Sequence, residues 1–307
     1  MSVISFDTSN YTTSIAFFDG HNGINCSKLL PVKPGELGLR QSDAVFAHVK
    51  SLQELSGRLF SYIDPSAITA IGVSTRPRAV EGSYMPCFMV GYTHAKLLSD
   101  ALQVPLMEFS HQQGHIAASA WSAGRMDLLD RPHLAWHLSG GTTELLLVTP
   151  SERSVACEKI GGTTDISAGQ LIDRTGQLLQ LPFPSGKSLD QISKEAENKD
   201  LFRVKCSDLT FSLSGVQNKV QQYYANCGNA AETAAYSLRC VCYAVYRATE
   251  NAIKQYGDLP IVFSGGVASN SMLRTHMQPL SPIFSEPQYS TDNAMGIAVL
   301  TARAREV

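Results

Sequence analysis

The chain has 307 residues, of which 44% are hydrophobic and 17% charged, with a formal net charge of -2. That length can bury one large core or two linked ones, and the composition is too apolar for disorder. A near-neutral balance excludes a global electrostatic pull toward nucleic acid or a membrane surface, so any RNA contact would need a local basic patch. The seven cysteines (Cys26, Cys87, Cys157, Cys206, Cys227, Cys240 and Cys242) are odd in number and form no CxxC pair. This is the pattern of a reduced compartment with buried thiols. There is no basic-then-apolar leader and no run approaching the ~18 apolar residues of a membrane span. A soluble, cytoplasmic protein is predicted.

In chain order, VISF, the polar DTSNYTT and SIAFF read as strand, turn, strand. Asp43–Tyr62 and Met89–Leu102 carry apolar residues at helical spacing, with AITAIGVS (67–74) as a strand between them. Pro105 stops the second helix, and Ser110 is the expected N-cap of a helix beginning HQQGH. LAWHLS, GGTT and ELLLV repeat the strand–turn–strand idea between Leu134 and Val148. Asp165–Leu181 is predicted helical, LPFPSGKS is a loop, and Glu232–Tyr256 is a long apolar helix ended by Gly257. IVFSGG (261–266) is a third strand-to-turn unit, running into a helical VASNSMLRTHM. The recurrence in both halves suggests a duplicated α/β lobe, with lobe I at 1–105 plus 287–307 and lobe II at 106–286.

Three Gly/Ser/Thr turns (Asp7–Thr13, Ser139–Thr143 and Ser264–Ser269) each follow an apolar strand. Such turns converge backbone N–H groups and hydroxyls on phosphate oxygens. They match neither a Walker loop nor GxGxxG and suit two lobes that pinch a nucleotide in a cleft. His111 and His115, four apart on a helix, share a face and can reach one metal. Asp292, in STDNAMGIA, is the candidate third ligand, and a two-imidazole, one-carboxylate set with open positions suits iron or zinc, magnesium being the harder alternative. The site lacks the glutamate of HExxH, so a hydrolytic metalloprotease has no evident base. Asp173 follows the second strand pair, and Asn270 follows Gly265 and Gly266; each is a candidate nucleoside contact as well as a structural residue. Lys187, Lys194, Lys199, Arg203, Lys205 and Lys219 form a basic run diluted by Asp190, Glu195, Glu197 and Asp200, which favours a solvated face. Cys240 and Cys242 are read as packing residues.

With these motifs in place, the chain resembles the TsaD family of tRNA threonylcarbamoyladenosine synthases, once labelled glycoproteases (peptidase M22). FDTSNYTTSIAFF resembles the family's opening ETS turn, HQQGH its HMEGH and LSGGTTELL its SGGHTxL. AGQLIDRTGQLLQLPFPSG, DLTFSLSGVQNKV, FSGGVASNSMLR and STDNAMGIA resemble four further family motifs in the family's order.

The resemblance implies an actin-like (sugar kinase and heat-shock ATPase) fold with two lobes around a nucleotide cleft. It implies metal ligands at His111, His115 and Asp292, and nucleotide contacts at Ser139, Gly140, Gly141, Asp173, Gly186, Gly265, Gly266 and Asn270. Catalytic roles are expected for Asp7, Thr8 and Ser9 of the opening turn. The implied reaction moves threonylcarbamoyl from threonylcarbamoyl-AMP, an ATP-derived adenylate, to N6 of the adenosine beside the tRNA anticodon. The implied partners are tRNA, a smaller TsaB-like paralogue and a TsaE-like ATPase, or a second copy of this chain. The departures are Asp7 for glutamate, Tyr11 and Thr12 for an acidic pair, Gln112 and Gln113 for Met-Glu, Thr142 for histidine, Gln170 for glutamate, and a longer RPRAVEGSYMP loop. They suggest a divergent paralogue: a small-molecule carbamoyl- or phosphotransferase, or a catalytically silent binding partner, is the alternative. Protease action ranks below both, since no nucleophile is evident.

Overall fold

The computed structural model describes residues 2–9, 11–31, 39–152 and 154–306. The chain divides into two compact units, one of Met1–Arg131, Thr149–Cys157 and Asp292–Val307, the other of Pro132–Val148 and Glu158–Thr291. In chain order the first unit contributes strands β1 (Ser2–Ser9), β2 (Thr12–Phe18) and β3 (Gly23–Leu29) and helix α1 (Gln41–Phe60). Strand β4 (Ile68–Arg76), helix α2 (Phe88–Leu102), strand β5 (Leu106–Ser110) and helix α3 (His111–Ser122) follow. Its sheet has the order β3-β2-β1-β4-β5, antiparallel from β3 to β1 and parallel from β1 to β5. β1 is buried along nearly its whole length, its polar Ser5, Asp7, Thr8 and Ser9 included. Ile4, Phe6, Ile15, Leu52, Leu55, Ile71 and Val73 share one core with it; each fully buried side chain of this size contributes about 1.5–3 kcal/mol.

The second unit begins with β6 (His133–Leu138), β7 (Thr143–Ser151) and β8 (Ser154–Thr163), then α4 (Ala168–Leu178) and α5 (Gly186–Ser193). Short strands β9 (Cys206–Ser207) and β10 (Thr210–Phe211) precede α6 (Ser214–Cys227) and α7 (Ala230–Tyr256), and β11 (Ile261–Ser264), α8 (Ser271–Met277) and β12 (Ile283–Phe284) complete it. The chain ends in α9 (Met295–Glu306), which belongs to the first unit. The second sheet runs β12-β11-β6-β7-β8-β10-β9. Its stretch β8-β7-β6-β11-β12 repeats the order of the first sheet, with the same antiparallel hairpin at β6–β7 and parallel pairs at β6–β11 and β11–β12. The lobe duplication expected from the turns is thus present in the topology. Trp136 anchors the second core, fully buried, with its indole N–H donated to Thr249 Oγ1 at 2.9 Å.

Three expectations need correction. The first unit extends to Arg131 rather than ending at 105, because β5 pairs with β4 and α3 packs on α9. The chain returns to it at Asp292, five residues beyond the expected 287, and residues 149–157 also belong to it. The polar DTSNYTT is mostly strand, with Thr8 paired to Thr13 and Ser9 to Thr12, since hydroxyl and β-branched residues fit an extended pair well. Asn10 of that turn lies outside the described residues. Helix α4 starts at Ala168, not Asp165, because Ser167 caps it, and α2 ends ahead of Pro105 at a left-handed Gln103 (φ 53°). Among the described residues no helix is long and apolar enough to cross a membrane.

Candidate functional site

Helix α3 opens on a capping box. Ser110 Oγ accepts the Gln113 N–H, and Gln113 Oε1 accepts the Ser110 N–H at 2.8 Å. This fixes the helix start one residue before His111 and puts His111 and His115 a turn apart on one face. Helix α9 then packs unusually close. A Cβ on Gly296 would overlap the carbonyl of Gly114, and one on Gly114 would meet Ile297 Cδ1 at 2.9 Å. That approach sets Asp292, just ahead of α9, against the two imidazoles. Its loop is held from the opening hairpin: Ser14 Oγ accepts the Ala294 N–H at 2.9 Å, and Ser5 Oγ donates to the Ala294 carbonyl at 2.7 Å.

The ring nitrogens His111 Nε2 and His115 Nε2 lie 2.9 Å apart, and Asp292 Oδ1 lies 3.5 and 3.3 Å from them. Ligands about 2.0–2.1 Å from one ion, at angles between octahedral and tetrahedral, are separated by roughly 2.9–3.4 Å. Two of the observed spacings fall in that range and the third, 3.5 Å from His111 to Asp292, lies just above it; His111, His115 and Asp292 are a group able to hold a metal ion. The donors fit the borderline metals expected from sequence. Burial works against a charge on His111, yet the carboxylates of Asp7 and Asp292 hold its imidazole well above the usual range. Burial likewise opposes charge on Asp292, but bonds from both histidines keep its carboxyl well below the usual range.

Of the opening-strand residues, Asp7 is 1% exposed, its Oδ2 2.7 Å from His111 Nδ1 and its Oδ1 accepting the Ser74 hydroxyl at 2.7 Å. Thr8 is fully buried, its hydroxyl donating to the Cys87 carbonyl and accepting the Gly91 N–H, a joint between β1 and α2. Ser9 is also buried, and its hydroxyl has no hydrogen-bond partner among the described residues. Ser5, Ser14 and Ser74 were not singled out from sequence, where isolated serines in apolar strands carry no distinguishing signal.

In the second unit, the Ser139–Thr143 turn is closed by Ser139 N–H donating to Thr142 O at 2.8 Å and Thr142 N–H to Ser139 Oγ at 3.0 Å. Ser167 Oγ donates to the Gly140 carbonyl at 2.7 Å, and a Cβ on Gly169 would meet Gly140 Cα at 2.5 Å, so the start of α4 backs the turn. Gly265, at φ 89°, faces the Leu138 carbonyl so closely that a side chain would overlap it. The Ser139–Gly141 and Gly265–Gly266 turns are therefore neighbours. Gly140, Gly141 and Gly266 face open space on their Cβ side, where another molecule could approach the backbone.

Asp173 Oδ1 accepts the Ser185 N–H at 2.8 Å just before Gly186 opens α5, and burial raises its carboxyl despite that bond. Asn270 caps α8 through its Oδ1 and donates Nδ2–H to Asp190 Oδ1 at 2.9 Å. Asp190 also accepts the Ser271 N–H and hydroxyl. From sequence Asp190 looked like a surface acid; only the docking of α5 beside α8 gives it this place.

Two departures from the family pattern have a structural account. Gln113 and Gln170 each occupy the third position of a capping box, for α3 and α4, where Glu and Gln serve equally. Asp165 lies outside α4 and gathers the Ser212 and Ser214 hydroxyls and the Leu213 N–H, which hold its carboxyl low against the cost of burial. The basic run from Lys187 to Lys219 is exposed throughout, and Cys240 and Cys242 lie in the apolar core.

Residues 38–299 match the family described as TsaD, tRNA N6-adenosine threonylcarbamoyltransferase. A protein of that name from Carboxydothermus hydrogenoformans is 31% identical over 262 residues, 82% of this chain and 75% of the relative. One from Mycoplasmopsis agalactiae is 27% identical over 97% of both chains. Among solved structures, full-length HypF in its phosphate- and nucleotide-bound form superposes with a TM-score of 0.63 at 14% identity, covering 99% of this chain and 46% of HypF. The activator of 2-hydroxyisocaproyl-CoA dehydratase from Clostridium difficile gives 0.56 at 13% identity, covering 100% of this chain and 96% of the activator. At such identities these structures share the fold alone, the α/β actin-like fold.

Proposed function

The chain belongs to the TsaD family of tRNA N6-adenosine threonylcarbamoyltransferases, and on that premise we propose that it is a metal-dependent threonylcarbamoyl transferase acting on tRNA. The observation that carries the reading is the meeting of His111 Nε2, His115 Nε2 and Asp292 Oδ1 at the spacing of ligands around one ion. A divalent ion held there, iron or zinc, would supply Lewis-acid stabilisation of phosphate charge.

The rest falls to the chain's own groups. The open backbone of Gly140, Gly141 and Gly266 offers N–H donors to phosphate oxygens. Asp173, Gly186 and Asn270 supply a polar edge for the ribose and base, with Asp190 orienting the Asn270 amide. In the proposed reaction the adenosine N6 attacks the carbamoyl carbon of threonylcarbamoyl-AMP. An N–C bond forms, the C–O bond to phosphate breaks, AMP departs with the electron pair and N6 loses a proton. Attack by an exocyclic amine needs orientation above all.

The substrate and assembly extend the same reading: tRNA as acceptor, with a smaller paralogous chain and an ATPase as partners. The Glu-to-Gln departures do not favour a silent paralogue, because Gln113 and Gln170 keep the capping contacts. The test is direct. The purified chain, with its partners and zinc or iron, is given unmodified tRNA and threonylcarbamoyl-AMP, and N6-threonylcarbamoyladenosine is measured by mass spectrometry. Product formation that His111→Ala lowers at least 100-fold is expected; no product with any tRNA overturns the proposal.

A further inference from the structure

Asp7 was expected to act on substrate, yet its carboxylate has no free edge. It is 1% exposed, with Oδ1 engaged by the Ser74 hydroxyl and Oδ2 by His111 Nδ1, both at 2.7 Å. Ser74 is itself fully buried on β4, and Asp7 sits on the adjoining β1. The opposite ring nitrogen of His111 is the one that meets His115 and Asp292. We infer that Asp7 is a positioning residue that holds His111 with Nδ1 protonated and Nε2 turned to the ion, and that Ser74 holds Asp7; this rests on the metal reading above.

Two physical arguments carry the assignment. A carboxylate that accepts hydrogen bonds makes Nδ1 the donor; an ion taken up at Nε2 displaces the proton there, and the ring then offers that lone pair where the other candidate ligands converge. The second argument is charge. His111 is the first residue of α3, and the positive end of a helix dipole works against a cation there. Asp292 supplies one negative charge from the ligand side and Asp7 a second from behind His111. Together they balance a divalent ion, a balance that the remaining donors, two imidazoles, do not provide.

The test is zinc titration of the folded full-length chain, monitored by calorimetry, in wild type, Asp7→Asn, Ser74→Ala and His111→Ala. The amide of Asp7→Asn has the same shape but no charge and can offer an N–H to Nδ1, which favours the Nε2–H tautomer. A 10- to 100-fold loss of zinc affinity is expected, with a smaller loss for Ser74→Ala and loss of binding for His111→Ala. Wild-type affinity in Asp7→Asn together with loss in His111→Ala would overturn the positioning role and leave the metal reading standing. Undiminished affinity in His111→Ala would overturn the metal reading itself. Should Asp7→Asn not fold, the ring 15N shifts of His111 in zinc-loaded wild type decide: a protonated Nδ1 and a ligated Nε2 are expected, and the reverse sinks the inference.

Discussion

Gly296 on α9 and Gly114 on α3 touch backbone to backbone, so closely that a Cβ on Gly296 would overlap the Gly114 carbonyl oxygen and crowd the Ala118 nitrogen. Both partners are backbone atoms of a helix, which cannot step aside as a flexible side chain would. The spacing of the three candidate metal ligands depends on this contact, since Asp292 precedes α9 and both histidines lie on α3. Gly296→Ala should therefore push the helices apart, lowering stability by about 2 kcal/mol or more and weakening zinc binding at least tenfold. Urea unfolding and zinc titration on the same preparation check both; an unchanged midpoint would show that the helices can relax without cost.

An ion that binds only the folded chain stabilises it by mass action, by about 2.7 kcal/mol at a free concentration 100 times its dissociation constant. Zinc or iron should raise the unfolding temperature of wild type, and a chelator should reverse the rise. In Asp292→Ala and His115→Ala the rise should disappear. Scanning calorimetry with and without metal reads this directly, and an equal rise in all three proteins would place the ion elsewhere.

His48, fully buried on α1, lies with Nδ1 2.8 Å from Thr13 Oγ1. Burial pushes its pKa down to about 4, only partly offset by the Asp7 charge and a Ser9 backbone group. The native imidazole is thus neutral where the unfolded one, at about 6.5, takes up a proton. Stability from this group is fully present above pH 6.5 and is lost as pH falls from there toward 4, by roughly 3 kcal/mol in all. Unfolding free energies between pH 7.5 and 4.5 should show the slope in wild type and a flatter profile in His48→Gln. Parallel profiles would assign the acid sensitivity to other groups.

The two capping glutamines separate cap from cross-link. Gln113 also donates its Nε2–H to the Val155 carbonyl at 2.8 Å, whereas the Gln170 side chain, among the described residues, accepts the Ser167 N–H and makes no such cross-link. Gln170→Glu should stay within about 0.5 kcal/mol of wild type because the capping box survives. Gln113→Glu should cost about 1–3 kcal/mol, having lost a donor and turned a carboxylate oxygen toward a carbonyl. Equal effects of the two substitutions in chemical denaturation would contradict this difference.

Local chemistry made much of this molecule legible before its structure. Ser110 ahead of HQQGH announces a capped helix, and a capped helix alone sets residues 111 and 115 on one face. The apolar runs before the Gly/Ser/Thr turns mark β6 and β11, and their recurrence points to a duplicated lobe, which the repeated sheet order shows. The STDNAMGIA motif makes Asp292 the expected third ligand. What brings it to the two histidines is spatial, the contact of two glycines 182 residues apart (296 minus 114) and the anchoring of its loop by Ser5 and Ser14.

Only the tertiary structure decided the parts played by Asp7, Thr8 and Asp190. A polar strand residue looks the same in sequence whether it faces a ligand, another strand or a histidine 104 positions away, because that depends on which element the fold packs against it. Thr8 proved to be a joint between β1 and α2, Asp190 a brace for Asn270, and Asp7 the backing of His111. Period and capping are local and can be read along the chain, while the partner of a buried polar group is set by packing between elements distant in sequence.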